Sequence, residues 1–160
     1  MNKTLACCCR AVLLVTSITQ VDNLVSADEI DYSYYLGKNY KAEKTLGSQG
    51  RTSKVIANHT SLFDIPAMIC HLGGDVSFVG GSFIKGIPLM GSLAKKLGTV
   101  FVPRSGSKTQ LQDTLQSMVN RTELIEREGQ FPPICIFPEG TTSNGQVLTK
   151  FRKGAFYDQR

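Results

Sequence analysis

The stretch NHTSLFD, residues 58–64, holds two titratable groups, His59 and Asp64, with four residues between them. A neutral imidazole can take a proton at one ring nitrogen while a carboxylate fixes the proton on the other, which is how a general base is oriented. On a continuous helix a separation of five would turn the two side chains about 140° apart, so they could not share a face. This stretch, however, follows the β-branched run SKVIA and precedes IPAMICHL, whose pattern is helical. At such a junction His59 hangs from the strand end while Asp64 sits in the first helical turn, where a carboxylate also suits the helix dipole. Asp64 can then hold the Nδ1 proton and leave Nε2 free. The same spacing also fits a carboxylate that merely caps the helix beside a hydrogen-bonded junction histidine.

Two further groups stand at comparable places. In IFPEGTTSNG, residues 136–145, Glu139 and the turn Gly140, Thr141, Thr142 follow another apolar run. Glycine lets backbone amides approach a ligand closely, and the hydroxyls can donate to phosphate oxygens. Arg104 closes the run TVFVPR, where a fixed guanidinium can grip a phosphate with two parallel hydrogen bonds. Each has a plainer alternative: Glu139 in a surface turn, Arg104 in a solvent-exposed ion pair.

These residues need a frame, and the chain supplies one from residue 51 onward. SKVIA reads as a strand, and TSLFDIPAMICHLG as a helix with Thr60 or Ser61 as its N-cap. VSFVGG is a second strand, IPLMGSLAKKLG a helix closing on Gly98, and TVFVPR a third strand. TQLQDTLQSMVNRTELIEREG is the longest helix, with Leu111, Leu115, Met118, Thr122 and Ile125 along one face. ICIFPEG is a fourth strand, cut by Pro138. Strand and helix alternate, so the expected class is α/β, a partly parallel sheet flanked by helices. NH, PR and PEG each follow a strand, where ligands collect in such folds. His71 falls within the second predicted element and reads as structural.

A chain of 160 residues suffices for one domain with a real core. Residues 1–50 read as a membrane-proximal or poorly ordered segment and linker, and residues 51–160 as the domain. MNKTLACCCRAVLLVTSITQV has a basic start, but Arg10 interrupts its apolar stretch, which falls short of the roughly 20 residues of a spanning helix. It could lie on a membrane surface, with Cys7, Cys8 and Cys9 available for palmitoylation. Cys70 and Cys135 stand alone in apolar runs, which suits small buried hydrophobes. With two histidines and no C-x-x-C pair, no metal is expected. The net charge of +5 is uneven. Residues 76–112 contain no acid but carry Lys85, Lys95, Lys96, Arg104 and Lys108. Such a segment is either an ordinary solvated face or a contact for phosphate ligands, nucleic acid or an anionic membrane. Nucleic acid is disfavoured because exposed aromatics are not interleaved with the cations.

NHTSLFD, FVPR, FPEGTTSNG and the trailing FRKGAF together resemble the successive motifs of the glycerolipid acyltransferases, in particular the lysophosphatidylcholine and lysophosphatidylethanolamine acyltransferase branch. The resemblance runs from about Val55 to Phe156. It implies transfer of an acyl group from acyl-CoA, a co-substrate with no cofactor, to the free hydroxyl of a lysophospholipid. His59 would be the base, oriented by Asp64, and no covalent enzyme intermediate is needed. Arg104 would hold the acceptor phosphate, while Glu139, Gly140, Thr141 and Thr142 would shape the acceptor site and Phe137 and Pro138 its bend. On charge, Lys85 and Lys153 would contact CoA or membrane phosphates. The implied location is a membrane, usually the endoplasmic reticulum. The chain departs from the pattern at Pro103, where relatives often carry Asp, and at Ser82, where a basic residue is common. No further strand or fourth proline-containing motif follows, so the C-terminal part of the fold is expected to be missing. A catalytically inactive, truncated paralogue that binds lipid or CoA is therefore the alternative.

Overall fold

Four short strands carry the architecture: β1 (Lys54–Ile56), β2 (Ser77–Gly81), β3 (Val100–Val102) and β4 (Ile134–Ile136). The structure, a computed structural model, describes residues 3–18, 33–37, 52–103 and 105–157. Most of the sequence-predicted linker, its Gly-rich end and Arg104 therefore lie outside the described residues. The strands form one sheet in the order β1-β4-β2-β3, and every pairing is parallel. Parallel neighbours need crossover connections, supplied here by α3 (Asp64–His71), α4 (Met90–Lys96) and α5 (Lys108–Glu128). α1 (Lys3–Val15) and α2 (Ser33–Leu36) precede them.

β4 is last in sequence yet lies inside the sheet, which explains its unbroken apolar reading. Ile134, Cys135 and Ile136 are all buried. Side chains alternate across a strand, so Cys135 joins Ile69 of α3, Val76 and Phe78 on one face. Ile134 and Ile136 join Met118 and Ile125 of α5 on the other. Each fully buried isoleucine contributes about 1.5–3 kcal/mol of apolar transfer. Burial, assisted by the Asp64 charge, pushes the Cys135 thiol up to about 11, so it stays protonated and inert.

α5 is bounded by clear signals. Ser107 Oγ accepts from the Gln110 N–H at 3.2 Å, and Gln110 Oε1 accepts from the Ser107 N–H at 3.1 Å, a reciprocal capping box. The helix ends on Gly129 in the left-handed conformation. Of its predicted apolar stripe, Met118, Thr122 and Ile125 are buried, while Leu111 is 48% exposed. Length accounts for the difference. A helix of 21 residues spans about 31 Å, against about 10 Å for strands of three.

The start of α3 corrects the expected cap. The cap residue is Phe63, with no side-chain cap bond, rather than Thr60 or Ser61. The reason is Asp64, whose carboxylate reaches back to the Thr60 and Ser61 N–H groups and turns those residues into a bend ahead of the helix. His71 is the last residue of α3 and is exposed. At the N-terminus, α1 packs on α3, burying Cys9 and Leu13 and bringing Leu5 to the Ile69 cluster. Cys7 and Cys8 remain exposed. Among the described residues no helix is long and apolar enough to cross a membrane.

Candidate active site

Register alone brings the two principal loops together. β1 and β4 are parallel neighbours with Ile56 opposite Ile136. His59 and Glu139 each lie three residues beyond those partners, so both emerge side by side at the carboxyl end of the sheet. The contact follows directly: the His59 backbone N–H donates to Glu139 Oε1 at 2.8 Å.

The His59 side chain is held from two directions. Its Nδ1 lies 2.8 Å from Asp64 Oδ2. The same oxygen accepts from the Thr60 N–H at 2.7 Å and the Ser61 N–H at 2.9 Å. Partial burial raises the Asp64 pKa, but the Ser61 N–H, the imidazole and the Thr60 N–H outweigh it and hold the carboxyl below its ordinary value. An ionised carboxylate only accepts, so the proton between the two groups sits on Nδ1 and Nε2 carries the lone pair. The ring also stacks on Phe137, with centroids 4.2 Å apart and planes inclined by 14°. Phe137 in turn stacks against the core residue Phe78 at 6.3 Å. The imidazole is thus fixed in tautomer and in orientation, while its side chain keeps 14% exposure.

Glu139 is 4% exposed and turned inward. Its second oxygen, Oε2, accepts from the Thr149 hydroxyl at 2.8 Å. Hydrogen bonds from the His59 N–H and the Thr149 hydroxyl, with a smaller one from the Ser143 hydroxyl, hold its carboxyl below the ordinary range. The loop after β4 is laced back over the histidine. Ser143 N–H donates to the His59 carbonyl at 2.8 Å, and Arg152 N–H to the Pro138 carbonyl at 2.8 Å. Gly140 has φ +68, and a Cβ there would come within 2.5 Å of Arg152 Nε, so only glycine fits the turn.

Both depressed carboxylates predict acid lability with a definite sign. A group whose folded pKa is lowered stabilises the fold above its unfolded pKa, and that contribution is lost as pH falls through the folded value. Thermal stability should therefore decline below about pH 4. In melts across pH 3–7, Asp64→Asn and Glu139→Gln are expected to flatten that decline, and an unchanged slope would contradict these assignments.

Of the site residues predicted from sequence, His59, Asp64 and Glu139 converge. Gly140, Thr141 and Thr142 form the exposed start of the loop after β4. Arg104 lies outside the described residues. Three contributors went unread as such: Phe137 as the stacking partner, Ser143 as the donor to the His59 carbonyl, and Thr149 as the second tether of Glu139. Nothing in local spacing marks Thr149, ten residues from its partner.

Comparison with known proteins bears on the chain's family. Residues 44–158 match the sequence model of the Acyltransferase family. The chain is 32% identical over 119 residues to the lysophospholipid acyltransferase LPEAT1 of Arabidopsis thaliana, covering 74% of this chain and 29% of that protein. It is 32% identical over 102 residues to the human lysophosphatidylcholine acyltransferase 2, covering 64% of this chain and 18% of the relative. With the lyso-ornithine lipid O-acyltransferase of Pseudomonas aeruginosa it shares 36% identity over 98 residues, covering 60% and 33%. The match thus spans a third or less of these relatives' own lengths. No solved structure matches the chain.

Proposed function

The chain belongs to the Acyltransferase family, and from that premise we propose that it transfers an acyl group from acyl-CoA to the free hydroxyl of a lysophospholipid. The observation that carries the reading is the His59–Asp64 pair at 2.8 Å, with Nε2 left as the basic nitrogen. In the proposed step, Nε2 takes the hydroxyl proton as the acceptor oxygen bonds to the thioester carbonyl carbon. The tetrahedral intermediate collapses with cleavage of the carbon–sulfur bond. The leaving thiolate then recovers the same proton from the imidazolium, which regenerates the base and releases CoA. Asp64 keeps Nδ1 protonated throughout and offsets the transient imidazolium charge. Glu139 acts as a positioning residue, since both its oxygens are engaged by the protein.

The lipid partner and a membrane location belong to the same proposal. Leu62, beside the His59 bend, and Val147 and Leu148, in the loop that crosses it, are 69%, 66% and 74% exposed. Apolar side chains presented beside a polar site suit contact with acyl chains at a bilayer surface. An endoplasmic reticulum membrane is the proposed compartment.

Product analysis tests the reaction. Membranes containing the chain, given labelled oleoyl-CoA and a panel of lysophospholipids, should form a labelled diacyl product with at least one acceptor. Label appearing only as free fatty acid, whatever the acceptor, would overturn the proposal. Arg104 is proposed to hold the acceptor phosphate. Arg104→Ala should then raise the KM for the lysophospholipid about tenfold or more while kcat changes little, as loss of uniform binding does. A fall in kcat at unchanged KM would remove Arg104 from that role.

A further inference from the structure

After β2 the chain leaves the sheet at the same end as the imidazole. β2 pairs with β4 with Phe78 opposite Cys135, so Ser82 departs level with Glu139. The 3₁₀ turn Ser82–Gly86 and α4 follow, and along them Phe83, Ile87, Leu89, Met90 and Leu93 are all exposed. Gly91 fixes which side of α4 faces out. It is buried, and a Cβ there would come within 2.6 Å of the Lys85 carbonyl oxygen. Leu93 and Lys96 lie about 160° and 140° round the helix from it, turned away from that contact.

Leu89 is the residue whose presence needs a reason. Its φ is +64 and its ψ −53, and the Met90 N–H donates to the Pro88 carbonyl at 2.7 Å, which makes it the centre of a strained γ-turn. Glycine would take that conformation without strain. A leucine is held there against its backbone preference, yet at 83% exposure its side chain gains nothing from the fold. Both costs are offset only when the side chain is buried in something outside the protein. It also heads a patch instead of standing alone. The surroundings of that patch carry one sign of charge. Lys95 and Lys96 close α4, Lys85 lies in the turn with its Nζ 4.8 Å from the Phe101 ring centroid, and residues 76–112 hold no acid. None of the three lysines is in an ion pair among the described residues. α4 carries the chain back toward the amino end of the sheet, so Lys95 and Lys96 stand about 9–10 Å behind Leu89 along its axis. An apolar tip with cations at that depth complements a bilayer of anionic lipid, which offers acyl chains and phosphates in the same order.

We infer that residues 82–96 form a wedge that enters an anionic bilayer. Leu89 is its apex and, with Met90 and Leu93, reaches the acyl layer, while Lys85, Lys95 and Lys96 meet lipid phosphates. The wedge and His59 leave the same end of a parallel sheet, so insertion sets the site against the bilayer. A lysophospholipid acceptor then reaches the imidazole without crossing water. The use of the wedge rests on the lipid acceptor proposed above; its affinity for a bilayer does not.

The sequence contains no tryptophan, so Leu89→Trp places a single fluorophore at the apex. The full chain is mixed with vesicles of phosphatidylcholine, alone or with phosphatidylserine. On the anionic vesicles the emission of Leu89→Trp should move to the blue and be quenched by brominated acyl chains. Arg127→Trp, in the last turn of α5 at the opposite end of the sheet, should show neither change. Leu89→Ser combined with Leu93→Ser should weaken vesicle binding about tenfold or more. Lys95→Gln and Lys96→Gln should each weaken it about fivefold, on anionic vesicles only. Leu89→Gly, which relieves the turn, should weaken binding without lowering Tm, a combination that a purely structural leucine would not give. Transfer to a short-chain lysophospholipid dissolved as monomer should survive the double serine variant, while transfer to a vesicle-borne acceptor falls with binding. Vesicles that bind with the Leu89→Trp emission unmoved would overturn the wedge, and so would vesicles that do not bind. Emission already blue in buffer, from a chain that sediments as a dimer, would overturn it in favour of a face between two copies. Insertion of the wedge by a chain that transfers no acyl group to either acceptor would uphold the surface and remove the reaction.

Discussion

His59→Ala is expected to lower the rate of acyl transfer by about 100- to 10,000-fold, the range that general-base catalysis contributes, with the fold retained. The separation of the two effects follows from which atoms of His59 do what. Its backbone N–H holds Glu139 and its carbonyl receives the Ser143 N–H, so both loop contacts survive truncation of the ring. Asp64 is not orphaned either, because Thr60 and Ser61 N–H groups still donate to it. What disappears is Nε2, the Nδ1 bond and the stack on Phe137. An aromatic stack is worth about 0.5–1.5 kcal/mol, which at this chain length lowers Tm by only a few degrees. A variant that melts near wild type but does not transfer would assign the chemistry to the imidazole. Loss of activity accompanied by unfolding would not, and full activity would refute the assignment.

The second large effect concerns Glu139, and here a pair of variants separates positioning from charge. Glu139→Ala removes both tethers at once, leaving the His59 N–H without its acceptor and the Thr149 hydroxyl without its partner. A shift of about 1 Å at the imidazole costs about 100-fold in rate, so a loss of that order in kcat is expected. Glu139→Gln should restore most of it. A glutamine can turn its carbonyl oxygen to the His59 N–H and its amide to the Thr149 hydroxyl, which accepts as readily as it donates. Near-equal losses in the two variants would mean that the carboxylate charge itself acts on the bound acceptor. Equal KM values with divergent kcat values are the signature of the positioning role.

The fold was legible where periodicity and punctuation are strong. The apolar run ICIF reads as a strand, and it is apolar at every position because β4 has neighbours on each side and a helix layer over each face. The run TQLQDTLQSMVNRTELIEREG places α5 and its closing Gly129, whereas the capping pair Ser107 and Gln110 emerges only in the structure. Less legible was the first turn of α3, where hydroxyl residues normally cap. Asp64 drew their N–H groups into a bend instead, a preference visible only once the imidazole is in place.

The site divides along the same line. H-x4-D and F-P-E-G are local in sequence, and the parallel register of β1 and β4 brings them together. Contacts that depend on a loop folding back are not local. Ser143 meets His59 across 84 residues of chain, and Thr149 was hidden among polar loop residues of equal plausibility.

The most direct test of the account is the initial rate of CoA release from oleoyl-CoA, with and without lysophospholipid, in wild-type membranes and in membranes carrying folded His59→Ala. The account predicts release that depends on the acceptor in the wild type and falls at least about 100-fold in the variant. Acceptor-dependent release of equal rate in both would contradict it.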